Sequence, residues 1–272
     1  MDNTLFKKTK QGYYLNSNPI KLAYGGYIRE RNQKNISFYK ERKEILKKTF
    51  TKLLSPYVIK IKDSFGDSHL NILDLGCGDG VVLESLSAIS KKIHVNLNLY
   101  GLDLDEEAMD NINCTVNKLV SSSTNIPLEE NLIHMIISSQ MIEHLTVKDI
   151  IKTIKEIKRV LKPGGILYIE TPNPESWLAK LMGIGWWMFL PEHLSLIPVY
   201  QLSKLFKKNG FVNVKGNTRM ETDEQINEVN EIIKRLPRLV QLAPLKLLAF
   251  IVKNYIKVSE RGSITVVTAK KN

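Results

Sequence analysis

NILDLGCGDG, residues Asn71–Gly80, is the stretch on which the reading of this chain turns. Ile72, Leu73 and Leu75 make a short apolar run, glycines follow at Gly76, Gly78 and Gly80, and Val81, Val82, Leu83 and Leu86 start a helical pattern at once. An apolar run closed by glycine is the pattern of a buried strand, so strand, tight turn and helix are predicted in immediate succession. Glycine suits such a turn because it accepts positive φ and because, lacking Cβ, it lets a ligand lie against bare main chain.

The spacing of the glycines bears on which ligand. A dinucleotide turn places them as G-x-G-x-x-G, whereas here they fall as G-x-G-x-G and Val81 occupies the position three after Gly78. That departure argues against a nicotinamide dinucleotide. A second acid points elsewhere. Residues 97–105, LNLYGLDLD, run apolar into Asp103, 25 residues beyond Gly78. A carboxylate at a strand end can accept hydrogen bonds from both hydroxyls of a ribose.

With LDLGCGDG followed by Asp103, the chain resembles the class I S-adenosylmethionine-dependent methyltransferases over about residues 71–211. The resemblance implies an α/β fold: a Rossmann-like seven-stranded sheet with helices on both faces, the last strand antiparallel, and helical insertions. It implies S-adenosyl-L-methionine as cofactor, held by Asp74, Gly76, Cys77, Gly78, Asp103, Leu104, Ser122, Ser123 and Ser139. One departure stands out. The family usually carries an acid about five residues before the proline of the next loop, and Ser122 holds that place before Pro127. A hydroxyl or the backbone N–H of Ser123 is then left to serve the adenine.

After the apolar strand predicted at Leu132–Ser138 comes MIEHL, residues 141–145, similar to the acid-histidine pair of family members that act on small molecules. Glu143 and His144 are therefore candidate catalytic residues, with His193 as a third; imidazole titrates near neutrality and suits a general base. LKPGGILYIETPNP at 161–174 resembles the family's motif after the next helix and reads as scaffold. No metal site is read from the sequence. The two cysteines, Cys77 and Cys114, make no C-x-x-C pair, so neither a disulfide framework nor zinc is indicated.

The organisation expected is an N-terminal arm and helix at 1–68 packing on a methyltransferase domain at 69–272, with insertions at about 172–197 and 221–257. The first 30 residues, with Tyr13, Tyr14, Tyr24 and Tyr27, read as an irregular arm able to cover a site. Apolar positions from Ile36 to Leu54 predict a helix ending near Pro56, with a polar joint at 62–68. Helices are expected at 81–90, 105–113, 147–161 and 200–208, and further strands at 114–120, 166–170, 211–220 and 262–270. Trp177, Trp186 and Trp187 concentrate in one insertion, placed to cover substrate. Residues 221–256 read as two basic amphipathic helices broken at Pro244, able either to meet a membrane surface or to seal the fold.

Charge and length bound the partners. The chain has 272 residues, 43% of them hydrophobic, and a net charge of +11 that is unevenly spread: +9 over residues 1–70, −7 over 71–140 and +9 over 141–272. An acidic cofactor half with basic flanks suits a phosphate-bearing or membrane-associated substrate as well as plain solvation. Met1–Lys10 has no apolar core of a cleavable signal, no run approaches the ~20 apolar residues of a span, and a cytoplasmic protein, at most at the inner membrane face, is expected. The function expected is methyl transfer to a small molecule, a glycan or lipid-linked intermediate. The alternatives are an RNA methyltransferase, a quinone-type lipid methyltransferase and a non-catalytic cofactor-binding module. Nucleic acid is disfavoured: no N/D-P-P-Y/F follows the fourth strand, where Ser139-Gln140-Met141 stands, and neither cysteine adjoins proline.

Overall fold

The computed structural model describes residues 6–9, 12–15, 36–176, 179–180, 188, 190, 192–219 and 262–272. In chain order its elements are β1 (Phe6–Thr9), β2 (Gly12–Leu15), α1 (Ile36–Phe65), β3 (Leu70–Leu75), α2 (Val81–Ile93), β4 (Leu97–Asp103), α3 (Glu106–Met109) and β5 (Asn117–Val120). There follow β6 (Ile133–Ser139), a 3₁₀ turn (Ile142–His144), α4 (Val147–Val160), β7 (Leu161–Pro172), β8 (Ser195–Leu196), α5 (Val199–Lys208), β9 (Phe211–Arg219) and β10 (Ile264–Lys271).

Seven strands pair in the order β5-β4-β3-β6-β7-β10-β9. The first five run parallel, and β10 is antiparallel to both β7 and β9. Continuous Ile, Leu and Val runs suit strands covered on both faces, and β3 and β6 are almost wholly buried. One face packs under α4 and α5 through Ile150, Ile154, Ile157, Leu202 and Phe206. The other packs under α1 and α2 through Leu54, Val58, Ile61, Leu83 and Leu86. Chain order reverses between β3 and β6, so their carboxyl ends open a crevice of the kind that holds ligands in α/β sheets.

Several expectations are corrected. The helix predicted to stop near Pro56 continues to Phe65, through Pro56 and most of the expected polar joint. An interior proline costs roughly 3 kcal/mol, but the apolar stripe continues with Val58 and Ile61, both fully buried. Burying two such side chains contributes on the order of 3–6 kcal/mol, which offsets the loss. Residues 6–9 and 12–15 are not irregular: they form a hairpin whose second strand pairs antiparallel with β8, Tyr13 opposite Leu196 and Tyr14 opposite Ser195. The helix expected at 105–113 is the single turn α3, and β5 begins at Asn117 rather than Cys114. Trp177, Trp186, Trp187 and the proposed helical pair at 221–256 lie outside the described residues.

Two buried ion systems tie the elements together. Glu170 on β7 is almost fully buried and takes a two-point contact from Arg219 of β9, Nε to Oε1 at 2.7 Å and Nη2 to Oε2 at 2.5 Å, while the Tyr168 hydroxyl also donates to Oε1. On the opposite side Glu84 of α2 receives Lys43 at 2.8 Å and Lys47 at 3.1 Å from α1. Lys43 also donates to the Asp79 carbonyl at 2.9 Å, which fastens the long helix to the glycine turn.

The N-terminus of α4 is capped by Thr146, whose Oγ1 accepts from the Asp149 N–H at 3.2 Å. Thr146→Ala removes that acceptor, and we expect a loss of about 1 kcal/mol of unfolding free energy. A lower urea midpoint at unchanged slope would register it.

Candidate active site

The glycine turn leaves β3 and immediately crosses its neighbour. The N–H groups of Gly76 and Cys77 both donate to the Leu102 carbonyl, at 2.8 and 3.1 Å. All three glycines are left-handed, with φ of 80° at Gly76, 49° at Gly78 and 81° at Gly80. Their surroundings separate their tasks. A Cβ on Gly76 would lie 2.4 Å from Met141 Cγ, and one on Gly80 would lie 2.7 Å from Ile112, so both are demanded by close packing. A Cβ on Gly78 would meet nothing within 4 Å among the described residues. At Gly78 the main chain borders open space, the surface a ligand can approach.

Asp103 ends β4 beside that surface. Its Oδ2 accepts from the Gly78 N–H at 2.8 Å and its Oδ1 from the Asp105 N–H at 3.0 Å. The structure thus joins Gly78 and Asp103, the two features whose spacing suggested a nucleoside. Leu104, next along, is 59% exposed.

Asp74 lies one step back along β3, opposite Gly101 on β4 and Ile137 on β6. It is 1% exposed, and neither carboxylate oxygen has a hydrogen-bond partner among the described residues. Burial, with Asp103 nearby, pushes its pKa up to about 8. An orphaned buried carboxyl and a stretch of bare backbone suit a ligand that brings a positive charge and a ribose. S-adenosyl-L-methionine carries both, so the residues present fit it.

The remaining cofactor candidates divide. The Ser123 hydroxyl is buried against Thr153 Oγ1 at 2.9 Å, so what it can offer a base is main chain. Ser122 Oγ is 2.9 Å from Thr124 Oγ1 in a half-buried loop. Ser139 closes β6 opposite Glu170, half buried at the crevice. The Cys77 side chain turns away into the core, where burial raises its thiol pKa, and its part in the site is confined to the backbone.

Beyond Ser139 the chain turns through Gln140 at φ 55°, an unusual conformation for a side-chain-bearing residue. The Gln140 N–H donates to the Glu170 carbonyl at 3.0 Å, and the 3₁₀ turn begins directly. Glu143 is fully buried; Thr171 donates to its Oε2 at 2.9 Å, while Oε1 has no partner among the described residues. Burial raises its pKa. His144 places Nδ1 3.1 Å from the Glu192 carbonyl, and His193 places Nδ1 2.7 Å from the Met188 carbonyl. The two rings meet edge to face with centroids 4.9 Å apart. Burial, and secondarily His144, lowers the His193 pKa to about 4, so it is neutral at physiological pH.

The three catalytic candidates are therefore assembled in one place, although His193 lies 49 positions beyond His144 in the chain. Ser195 helps to hold them there by donating to the Leu145 carbonyl at 2.7 Å. Thr171, Ser195 and Met141 were not singled out from the sequence. They serve through packing and single hydrogen bonds between distant segments, for which no local spacing gives a signal.

A ligand crevice at the β3 and β6 ends, a glycine turn and a strand-end acid define a nucleoside-binding α/β domain. The methyltransferase-domain family model matches residues 24–215, and the chain belongs to that family, the class I S-adenosylmethionine-dependent methyltransferases. A probable S-adenosylmethionine-dependent methyltransferase of Mycolicibacterium smegmatis is 27% identical over 106 residues, 38% of this chain and 38% of that protein. A ubiquinone biosynthesis O-methyltransferase of Rickettsia bellii is 27% identical over 184 residues, 62% of this chain and 69% of that protein. The chain spans about two fifths of the length of the mycobacterial relatives it matches. Among solved structures, a SAM-dependent methyltransferase from Archaeoglobus fulgidus superposes with a TM-score of 0.58 at 18% identity, covering 86% of this chain and all of the other. Among the described residues no helix is long and apolar enough to cross a membrane.

Proposed function

We propose that this chain transfers a methyl group from S-adenosyl-L-methionine to a hydroxyl of a small molecule, a glycan or lipid-linked biosynthetic intermediate. The observation that carries the reading is the junction of two sites at adjacent strand ends. Gly78 and Asp103 form a nucleoside cradle at β3 and β4, and the Glu143, His144 and His193 cluster stands just past β6.

In this reading Asp103 holds the ribose, main chain at Gly76, Gly78 and Ser123 with Ser122, Ser139 and Leu104 lines the rest of the cradle, and Asp74 faces the donor's positive charge. The donor supplies an activated methyl group on sulfonium sulfur. What the protein adds is alignment and exclusion of water, worth roughly 7–11 kcal/mol where reacting atoms are well placed. His144, half exposed, is assigned as the base that takes the acceptor's proton, a task worth about 100- to 10,000-fold. His193, neutral and held by Met188, positions it, and Glu143 orients the turn that carries it. The hairpin 6–15, bound through β2 to β8, lies beside the segment of His193 and is assigned as part of the acceptor wall. The ubiquinone-biosynthesis name of the Rickettsia bellii relative supports an oxygen acceptor on a lipid-like molecule. Peripheral membrane contact through residues 221–257 and a domain division near residue 68 belong to the same proposal.

Incubating cell extract with the protein and donor labelled in its methyl group tests it. Label is expected in a lipid or glycan fraction, absent with Asp103→Ala and reduced at least 10-fold with His144→Gln. Label in RNA alone, or in no fraction, would overturn the reading.

A further inference from the structure

Glu143, His144 and His193 form the one group of three potential ligand residues found together among the described residues, one ligand atom of each lying within 4.8 Å of the others. The orientation of the two imidazoles is what makes the group more than a cluster. Each Nδ1 is engaged with a backbone carbonyl, of Glu192 at 3.1 Å and of Met188 at 2.7 Å. A carbonyl can only accept, so each Nδ1 carries the proton and each Nε2 carries the in-plane lone pair. A metal-binding histidine is commonly prepared this way, with one ring nitrogen hydrogen-bonded to fix the tautomer and the other directed at the ion.

The carboxylate supplies an independent observation. Glu143 is fully buried, Thr171 fixes its Oε2, and Oε1 is without a partner among the described residues. A buried carboxylate oxygen without a donor is costly unless something positive meets it. Around a transition-metal ion with bonds of ~2.0–2.2 Å, neighbouring ligand atoms lie about 3–4 Å apart. The present spacing needs a closure of roughly 1 Å, within the reach of small side-chain torsions.

We propose that Glu143, His144 and His193 bind a divalent transition-metal ion. Two imidazoles and one carboxylate suit zinc, cobalt, manganese or ferrous iron far better than calcium or magnesium, which prefer all-oxygen sites. Three protein ligands leave coordination positions open, the arrangement of a working rather than a purely structural centre. The site adjoins the acceptor side of the crevice. A hydroxyl at one of the open positions would be acidified, which gives the same three residues a second route to the task assigned to His144.

Binding is measured without donor or acceptor, so its outcome is separate from that of the methyl-transfer reading. The full chain, freed of metal with chelator, is titrated with cobalt(II) and followed by its visible absorption, with zinc(II) as competitor. One ion per chain is expected, displaced by zinc and not by excess magnesium. His193→Gln, His144→Gln and Glu143→Gln should each weaken it at least 10-fold, while His69→Gln, on the exposed surface, should leave it unchanged. Circular dichroism of each variant checks the fold. Absence of the cobalt spectrum in the folded wild-type protein, or equal binding by all four variants, would overturn the proposal.

Discussion

Asp103→Ala should lower affinity for S-adenosyl-L-methionine by roughly 100- to 10,000-fold, because a carboxylate holding two ribose hydroxyls makes two charge-assisted hydrogen bonds of about 1.5–3 kcal/mol each. The loss is expected to exceed that of any serine substitution in the cradle. Asp103 also organises the protein side: it accepts the Gly78 N–H at 2.8 Å and so sets the turn against β4. Titration calorimetry separates the two contributions. Asp103→Asn retains an acceptor for that N–H but not the charge, and should fall between wild type and alanine. The strand itself should persist, since β4 is held by β3 and β5 on either side. Unaltered donor affinity in a folded Asp103→Ala protein would remove the nucleoside cradle from the account.

How much of this was legible in the sequence depends on the range of the forces involved. The glycine turn, Asp103 and the strand ends are local features, written in adjacent residues by apolar runs and breakers, and the structure joins them directly. His193 was legible as a residue type but not as a neighbour, since its approach to His144 depends on Ser195 donating to Leu145 and on the turn from Leu190. The pairing of residues 12–15 with β8 is made by main-chain hydrogen bonds, which no side-chain pattern reports. At Pro56 the sequence carried two conflicting signals, a breaker and a continuing stripe at Leu54, Val58 and Ile61, and the stripe won because its residues are wholly buried. Ser123 shows the reverse case: its place in the chain made its hydroxyl a cofactor candidate, and that hydroxyl is turned to Thr153.

Asp74→Asn should make the free protein more stable and its cradle less useful. In the native chain burial, and secondarily the nearby Asp103, push the pKa of Asp74 up to about 8, against 3.8 for an ordinary carboxyl, and its oxygens have no partner among the described residues. Between those values the folded protein holds a proton that the unfolded chain has released. Stability attributable to this residue therefore falls as pH rises from about 4 to about 8, by on the order of 4 kcal/mol at pH 7. His193 works in the opposite sense, adding stability as pH rises from about 4 to about 6.5, so the difference between variant and wild type isolates Asp74. The variant should gain up to about 4 kcal/mol at pH 7 and little at pH 4, read from urea midpoints across that range. On the proposed placement of the cationic donor the balance reverses: positive charge beside Asp74 favours its ionised form, so donor binding should expel the proton and tighten as pH approaches 8. Calorimetry in buffers of different ionisation enthalpy should show about one proton released by the wild type and none by Asp74→Asn. Equal stability of the two proteins at pH 7 would mean that the carboxyl is not orphaned in solution, whereas equal proton release would mean that the charge answering the donor lies elsewhere.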